Sequence, residues 1–352
     1  MNPDAARDVW PERRRLYFDR LAPPDLRNGA RLVAGLVAGG ETVGAVVQEV
    51  LRPAQIDVGR HWQRNDWSVA DEHAASAVTE AALMAASNSA PDPVREQPLV
   101  VLACASEEWH TLPLRMVLAV LTEAGFDCAF LGPSVPPDHL RTYLDSARPM
   151  ALALNCTVAT NLDGAAASIA AAHAAGVPVL VGGRAFGVDD HRAAVVGADA
   201  WNDDPQKAAG ILLSWAGGSP PSDLGTSTQD DTESPASGGE LVEARRAVMA
   251  TLHREFPVLS RYDDRQLART HEDIEHIIHF GVAAVRCRDD RIFADFAVWL
   301  RDLLTARHVP AAVVTTSLLA VADALEVSRP RVARCIRESA SDAVTGADFR
   351  TV

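Results

Sequence analysis

A histidine that follows an apolar strand can offer a ring nitrogen to a metal, and His110 does so in Ser106-Glu107-Glu108-Trp109-His110-Thr111-Leu112-Pro113. Glu108, two residues earlier, can accept the proton of the other ring nitrogen, which fixes the tautomer and raises the basicity of the metal-facing one. The plainer account of His110 is a solvated loop histidine. A second cluster is Trp62, followed after nine residues by Glu72-His73. Trp62 also reads as an ordinary core residue of a helical bundle. In a third, Leu267 to Phe280, the polar residues Arg269, Asp273, His276 and His279 are set among apolar ones. Such groups either line a ligand pocket or form a solvated helix face.

The elements that must position these residues follow from periodicity. From about residue 24 to 86 apolar residues recur at helical spacing, as in Ala30, Leu32, Val33, Leu36 and Val37, with Gly39-Gly40 as a break. Trp62 sits at the end of one helix that stops near Arg64. Ser68 with Asp71 three residues on resembles a capping box, so the next helix starts at about Val69. A small helical bundle, residues 1–96, is expected, with a linker from Ser87 to Gln97. Residues 97–216 then alternate strands and helices. The runs Leu99–Cys104, Cys128–Leu131, Met150–Leu154 and Val177–Val181 have no polar face, the mark of parallel strands buried on both sides. Helices expected near Thr111, Pro136, Asn161 and Asp204 complete an open, doubly wound sheet. Residues 217–239, rich in Gly, Ser, Thr, Pro and Asp, read as a flexible linker. Helical patterning returns over 240–337, leaving 338–352 as an unassigned tail.

With 33 basic against 47 acidic residues, the net charge of −14 repels polyphosphates, and Arg13-Arg14-Arg15 is too short a basic run to reverse that. No helix-turn-helix pattern precedes the bundle, so direct nucleic-acid binding is not expected. Five cysteines without a Cys-x-x-Cys pair or a disulfide spacing fit a reducing cytoplasm. No apolar run of membrane-spanning length is present, so no membrane association is expected.

The Glu-x-His segment resembles the Asp-x-His-x-x-Gly signature of base-off, His-on cobalamin-binding domains, with Glu108 in place of Asp and Pro113 in place of Gly. The resemblance implies that His110 is the cobalt ligand. It also implies that Asn155-Cys156-Thr157 stand for the family's Ser-x-Leu and Gly182-Gly183 for its Gly-Gly, so that Asn155, Thr157, Gly182 and Gly183 line the channel for the nucleotide tail. Alone, these residues equally close a turn or follow a strand. Trp62 with Glu72-His73 is similar to the Trp-x9-Glu-His motif of adenosylcobalamin photoreceptors of the CarH type, implying an indole over the upper corrin face and a Glu-His pair holding the adenosyl group. Those photoreceptors have a His directly after the Trp. Here it is Gln63, which leaves His61 or His73 for the vacated upper position.

From Leu241 to Leu304 the layout resembles the globin-like helices of phycobiliproteins. Asp273 falls at the aspartate that bonds pyrrole nitrogens, and Thr270 at the thioether cysteine, so a bilin such as biliverdin is expected to be non-covalent. Their propionate-binding arginine is Glu272 here, and Arg261, Arg269 or His279 takes that role. The whole chain resembles a photocobilin: helical cap, Rossmann-like α/β core and globin-like all-α domain. This implies a light sensor rather than an enzyme, with adenosylcobalamin and biliverdin as small-molecule chromophores and a downstream protein effector as partner. A homo-oligomer is left open as an assembly state. The rival reading is a corrinoid carrier for methyl transfer, and a third is a scaffold whose folds serve only protein contacts.

Overall fold

The computed structural model describes residues 9–91, 96–221, 223–230 and 232–345, with the helix but not the side chains given for 341–345. The first part is helical: α1 Trp10–Phe18, α2 Leu26–Ala38, α3 Val43–Val46, a π-helical stretch Val47–Leu51, α4 Arg52–Gln63 and α5 Val69–Ser89. Asp25 caps α2, whose stripe Gly29, Val33 and Val37 is buried, and Gly39 and Gly40 end it. Gly29 is where α2 touches α5, since a Cβ there would lie 2.7 Å from Val78 Cγ1. Ser68 and Asp71 form the capping box that starts α5. That helix runs on through Ser89, taking in the first residues of the linker expected from Ser87, whose residues 92–95 lie outside the described ones.

The middle part is a five-stranded, all-parallel sheet of order β2-β1-β3-β4-β5, with β1 Gln97–Cys104, β2 Phe126–Gly132, β3 Ala151–Asn155, β4 Val179–Gly182 and β5 Ala200–Trp201. Between the strands lie α6 Leu112–Glu123, α7 Pro137–Ala147, α8 Leu162–Ala174 and α9 His191–Val196, and α10 Pro205–Ala216 follows the last. Thr111, Pro136, Asn161 and Asp204 stand immediately before α6, α7, α8 and α10. Two-residue β5 and six-residue α9 were too short to show a period in the sequence. Successive β1 side chains point to opposite faces. Val100, Leu102 and Cys104 pack with the helical cap, α6 and α10, while Val101 and Ala103 pack with α7, α8 and α9. Glu123 of α6 receives the backbone N–H groups of Val43 and Gly44 at 2.6 and 2.8 Å, so a carboxylate caps α3 and docks the bundle.

The last part comprises α11 Gly238–Glu255, α12 Asp264–Arg286, α13 Arg291–Ala306, α14 Ala311–Leu325 and α15 Pro330–Thr345. It shares one core with the α7–α9 side of the sheet, tied by the buried pair Arg192–Asp289 at 2.8 Å and by Arg286–Asp163 at 2.7 Å. The expected boundary at 337 falls inside α15, whose Ser339 and Ala340 are buried. A helix of sparse apolar residues at helical spacing had read as tail. Residues 346–352 lie outside the described ones.

Of the segment 217–239, read as a flexible linker, several described residues are instead hydrogen-bonded to the units on either side. Gly225 N donates to Asp199 Oδ1 at 2.8 Å, Thr228 N to Val195 O at 2.8 Å, and Asp230 N to Arg286 O at 2.9 Å. Gly225 meets the backbone so closely that a Cβ would lie 2.4 Å from Gly197 O. The glycine there serves a close approach rather than freedom, which composition cannot distinguish.

Candidate cofactor site

In a sheet of this order, the direction in which successive strands are added reverses between β1 and β3, and ligands bind in the crevice at the carboxyl ends of those strands. The register sets Cys104 beside Asn155 and Asn155 beside Gly182 along that edge. His110 stands in the loop that leaves β1 there. Its side chain is 60% exposed, whereas that of Glu108 is fully buried.

His110 Nδ1 lies 2.6 Å from Glu108 Oε1, which also accepts from His110 N at 2.9 Å. The second oxygen accepts from Thr157 N at 2.7 Å, Val158 N at 3.1 Å and Asn161 Nδ2 at 3.4 Å. Burial alone would raise this carboxyl, but the hydrogen bonds from His110 and Thr157 outweigh it and hold Glu108 at about 2. The same bond to Glu108 raises His110 against the opposing effect of burial, and the Glu72 charge on the cap adds to the rise. With Nδ1 engaged, Nε2 is the nitrogen available to a metal.

The loop is braced from three sides. Asn155 Nδ2 donates to His110 O at 3.1 Å and lies 3.3 Å from Thr157 Oγ1. Ser134 Oγ accepts from Glu107 N at 3.1 Å, and Ser134 N donates to Glu108 O at 2.9 Å. Glu107 itself adopts the left-handed φ of 68°. Gly183, at φ +104°, is forced: a Cβ would lie 2.3 Å from Cys156 O and 2.7 Å from Asn155 Oδ1. Gly164, which the sequence reading missed, gives α8 its approach to the loop, with a Cβ 2.4 Å from Ser106 O. Its signal was a glycine in the first turns of an Ala-rich helix, where it weakens the helix unless a neighbour comes close.

Among the described residues no group of three or more His, Cys, Asp and Glu side chains is arranged to hold a metal ion. His110 could therefore hold a metal only as a single donor, with another group filling the remaining positions. Residues 98–209 and residues 28–86 each match a family model described as a B12 binding domain. The chain carries B12-binding domains. Over 140 residues it is 31% identical to the HTH-type transcriptional repressor CarH of Myxococcus xanthus, a match taking in 39% of this chain and 46% of that protein. The chain thus spans less than half the length of that relative. The monomethylamine corrinoid protein of Methanosarcina barkeri superposes with a TM-score of 0.52 at 17% identity, covering 58% of this chain and 98% of the other. That likeness is one of fold. No helix among the described residues is long and apolar enough to cross a membrane.

The B12-binding cap presents its own residues less simply. Glu72 accepts from Ser76 Oγ at 2.9 Å and lies 3.4 Å from Nε2 of His73, whose side chain is 75% exposed. His61 is stacked on Trp67 and paired with Asp66 at 3.0 Å. The Trp62 indole stacks on Trp299 of α13, ring centres 6.0 Å apart, and the Arg307 guanidinium lies over it at 5.4 Å. The sequence reading missed both partners, because their contact with Trp62 joins residues more than two hundred positions apart.

In the third unit a cavity of about 470 Å³ opens among α12, α13 and α14, lined by Asp273, Thr270, Arg269, Arg265, Tyr262 and Arg307 over an apolar floor including Ile277 and Leu300. Burial, with the Glu272 charge, pushes Asp273 up to about 6. Of the three bases proposed beside Asp273, only Arg269 lines this cavity, where it pairs with Glu272 at 2.8 Å. His276 and His279, expected in the same pocket, are absent from its lining. Ile277 keeps to the cavity face, whereas His276 turns about 60° from Asp273 to the opposite side and is exposed, and His279 turns about 120°. Burial lowers His279, with His276 adding to the effect and the charges of Glu275 and Glu107 opposing it.

Proposed function

We propose that the chain is a light sensor that binds adenosylcobalamin between His110 and the Trp62, Glu72 and His73 cap. The observation that carries this reading is His110, exposed at the switch-point edge with its Nδ1 held 2.6 Å from a fully buried carboxylate. Adenosylcobalamin supplies a cobalt–carbon bond that light can break. Glu108 fixes the tautomer of His110, Asn155 and Gly183 fix the loop backbone, and Glu72 and His73 offer a carboxylate and an imidazole to the hydroxyls and base of a bulky upper ligand. The similarity to the CarH repressor supports the adenosyl form over a small upper ligand.

On the same reading the cavity of the third unit takes a bilin. Its volume is in the range of small-molecule sites. Asp273 is an acceptor for pyrrole N–H groups in an apolar setting, and Arg265, Arg269 and Arg307 suit propionates. The described lining contains no cysteine, which fits a non-covalent pigment. The output passes by conformational change to a protein partner.

Absorption spectra of protein loaded in the dark with adenosylcobalamin, then illuminated, test the reading. A light-driven spectral change is expected, with His110→Ala giving a base-off spectrum or poor retention. Dark methyl transfer from methylcobalamin-loaded protein to a thiol or pterin acceptor, without a light response, would establish the corrinoid carrier instead.

A further inference from the structure

The C-terminal end of α4 is capped by another unit of the chain. A helix leaves its last carbonyls without internal partners. Arg307, at the end of α13, donates through Nη2 to Trp62 O and through Nη1 to Gln63 O, both at 3.2 Å. It also holds Leu303 O at 2.9 Å. A cation at this end suits the helix dipole. The same guanidinium lies over the Trp62 ring and forms part of the wall of the 470 Å³ cavity, within electrostatic reach of Asp273. One cation therefore serves two places: the end of the cap helix that carries Trp62, and the pocket of the third unit.

The aromatic packing runs the same way. Trp62 stacks on Trp299, Trp299 on Phe296 at 6.0 Å, and Phe296 on Phe280 of α12 at 4.0 Å. Leu300, next to Trp299, lines the cavity. Filling the cavity thus acts on the helices that hold Trp62.

We propose that Arg307 couples the two sites: a carboxylate-bearing ligand in the cavity draws its guanidinium off the α4 carbonyls and frees Trp62 to close over the cobalamin. The proposal rests on the cobalamin and bilin readings above. Arg307 and Trp299 both hold the indole in its present place; when a ligand carboxylate takes the fork, α4 loses its foreign cap and the indole is free to turn. Arg307 is a positioning residue, acting through Trp62. Linkage requires the effect to be reciprocal, so cobalamin tightens binding in the cavity by the same factor.

The test is a dark absorbance titration of the full chain with adenosylcobalamin, alone and with saturating biliverdin, for wild type, Arg307→Gln and Arg307→Lys. In wild type, biliverdin should tighten adenosylcobalamin binding by about 5-fold or more, as coupled sites do. In Arg307→Gln biliverdin itself should bind more weakly, and with its concentration raised to saturate the cavity the ratio should fall to about one, while Lys, which keeps the charge but loses the fork, should restore part of it. Should the Gln variant fail to fold, the Lys variant and the reverse titration of wild type with biliverdin decide. An equal ratio in wild type and Gln, an unchanged or weakened affinity in wild type, or no biliverdin band at all would overturn the coupling. Wild type that binds no adenosylcobalamin would instead count against the cobalamin reading.

Discussion

Replacing Glu108 by Gln removes one charge and almost no volume, and the structure says what that should cost. The carboxylate accepts five hydrogen bonds while fully buried. An amide offers one oxygen and one NH2. If its oxygen faces His110, the NH2 meets the N–H groups of Thr157 and Val158, leaving two buried donors without an acceptor, at about 1–3 kcal/mol each. If it turns the other way, the NH2 meets His110 Nδ1 and drives the imidazole proton onto Nε2, where it blocks a metal. The fall of the carboxyl from 4.5 to about 2 corresponds independently to roughly 3 kcal/mol. Because the folded pKa is the lower one, this stability is complete above pH 4.5 and is lost as pH falls from there toward 2. Urea unfolding of the full chain, followed at the transition of the β-sheet because several units need not unfold together, should therefore show Glu108→Gln weaker by ~3 kcal/mol at pH 7. The gap should narrow below pH 4.5, and cobalamin affinity at neutral pH should drop about 10- to 100-fold. A variant within ~0.5 kcal/mol of wild type at pH 7, the range of an ordinary surface change, refutes the reasoning.

Gly183→Ala should destabilise the chain well beyond Gly40→Ala. The two share φ near +104°, at roughly 1–3 kcal/mol for a non-glycine residue, but only Gly183 has backbone where the Cβ would go; equal losses in thermal denaturation would show that the close approach to Cys156 carries no weight. Asp273→Asn should stabilise the apo protein by about 1–3 kcal/mol at pH 8, discounted for partial exposure. The ionised Asp273 is penalised progressively between pH 3.8 and about 6, so the gain should vanish by the lower value, and a pH-independent gain would place the cause elsewhere. The same variant should lose the long-wavelength band of added biliverdin.

Most of the local architecture was legible because local chemistry sets it. Continuous apolar runs gave β1 to β4, and Thr111, Pro136, Asn161 and Asp204, near which helices were expected, each stand one residue before a helix. Glu108 and His110 were legible because their bond spans only two positions. The failures share a cause too. Gly225 and its neighbours have linker composition, and what pins them is Asp199, Val195 and Arg286, distant in sequence. His276 and His279 were grouped with Asp273 by proximity along the chain. At 100° per residue His279 lies about 120° from Asp273, and His276 about 60° round on the side away from Ile277, outside the lined arc.

The residues hardest to read were those that join the units. Trp62 carried two readings, a cofactor cover and a core residue, and its surroundings show the packing directly: it stands near the end of α4, stacked on Trp299 beneath Arg307. A cover role requires a second arrangement of the indole, since a ligand moves an equilibrium only by its differential interaction with the two arrangements. On the proposed coupling Arg307 supplies that difference through its two hydrogen bonds at 3.2 Å, the long end of the N–H to oxygen range. A ligand carboxylate competes for the same guanidinium, whereas the 2.8 Å buried pair Arg192–Asp289 ties the third unit to the sheet independently of α4.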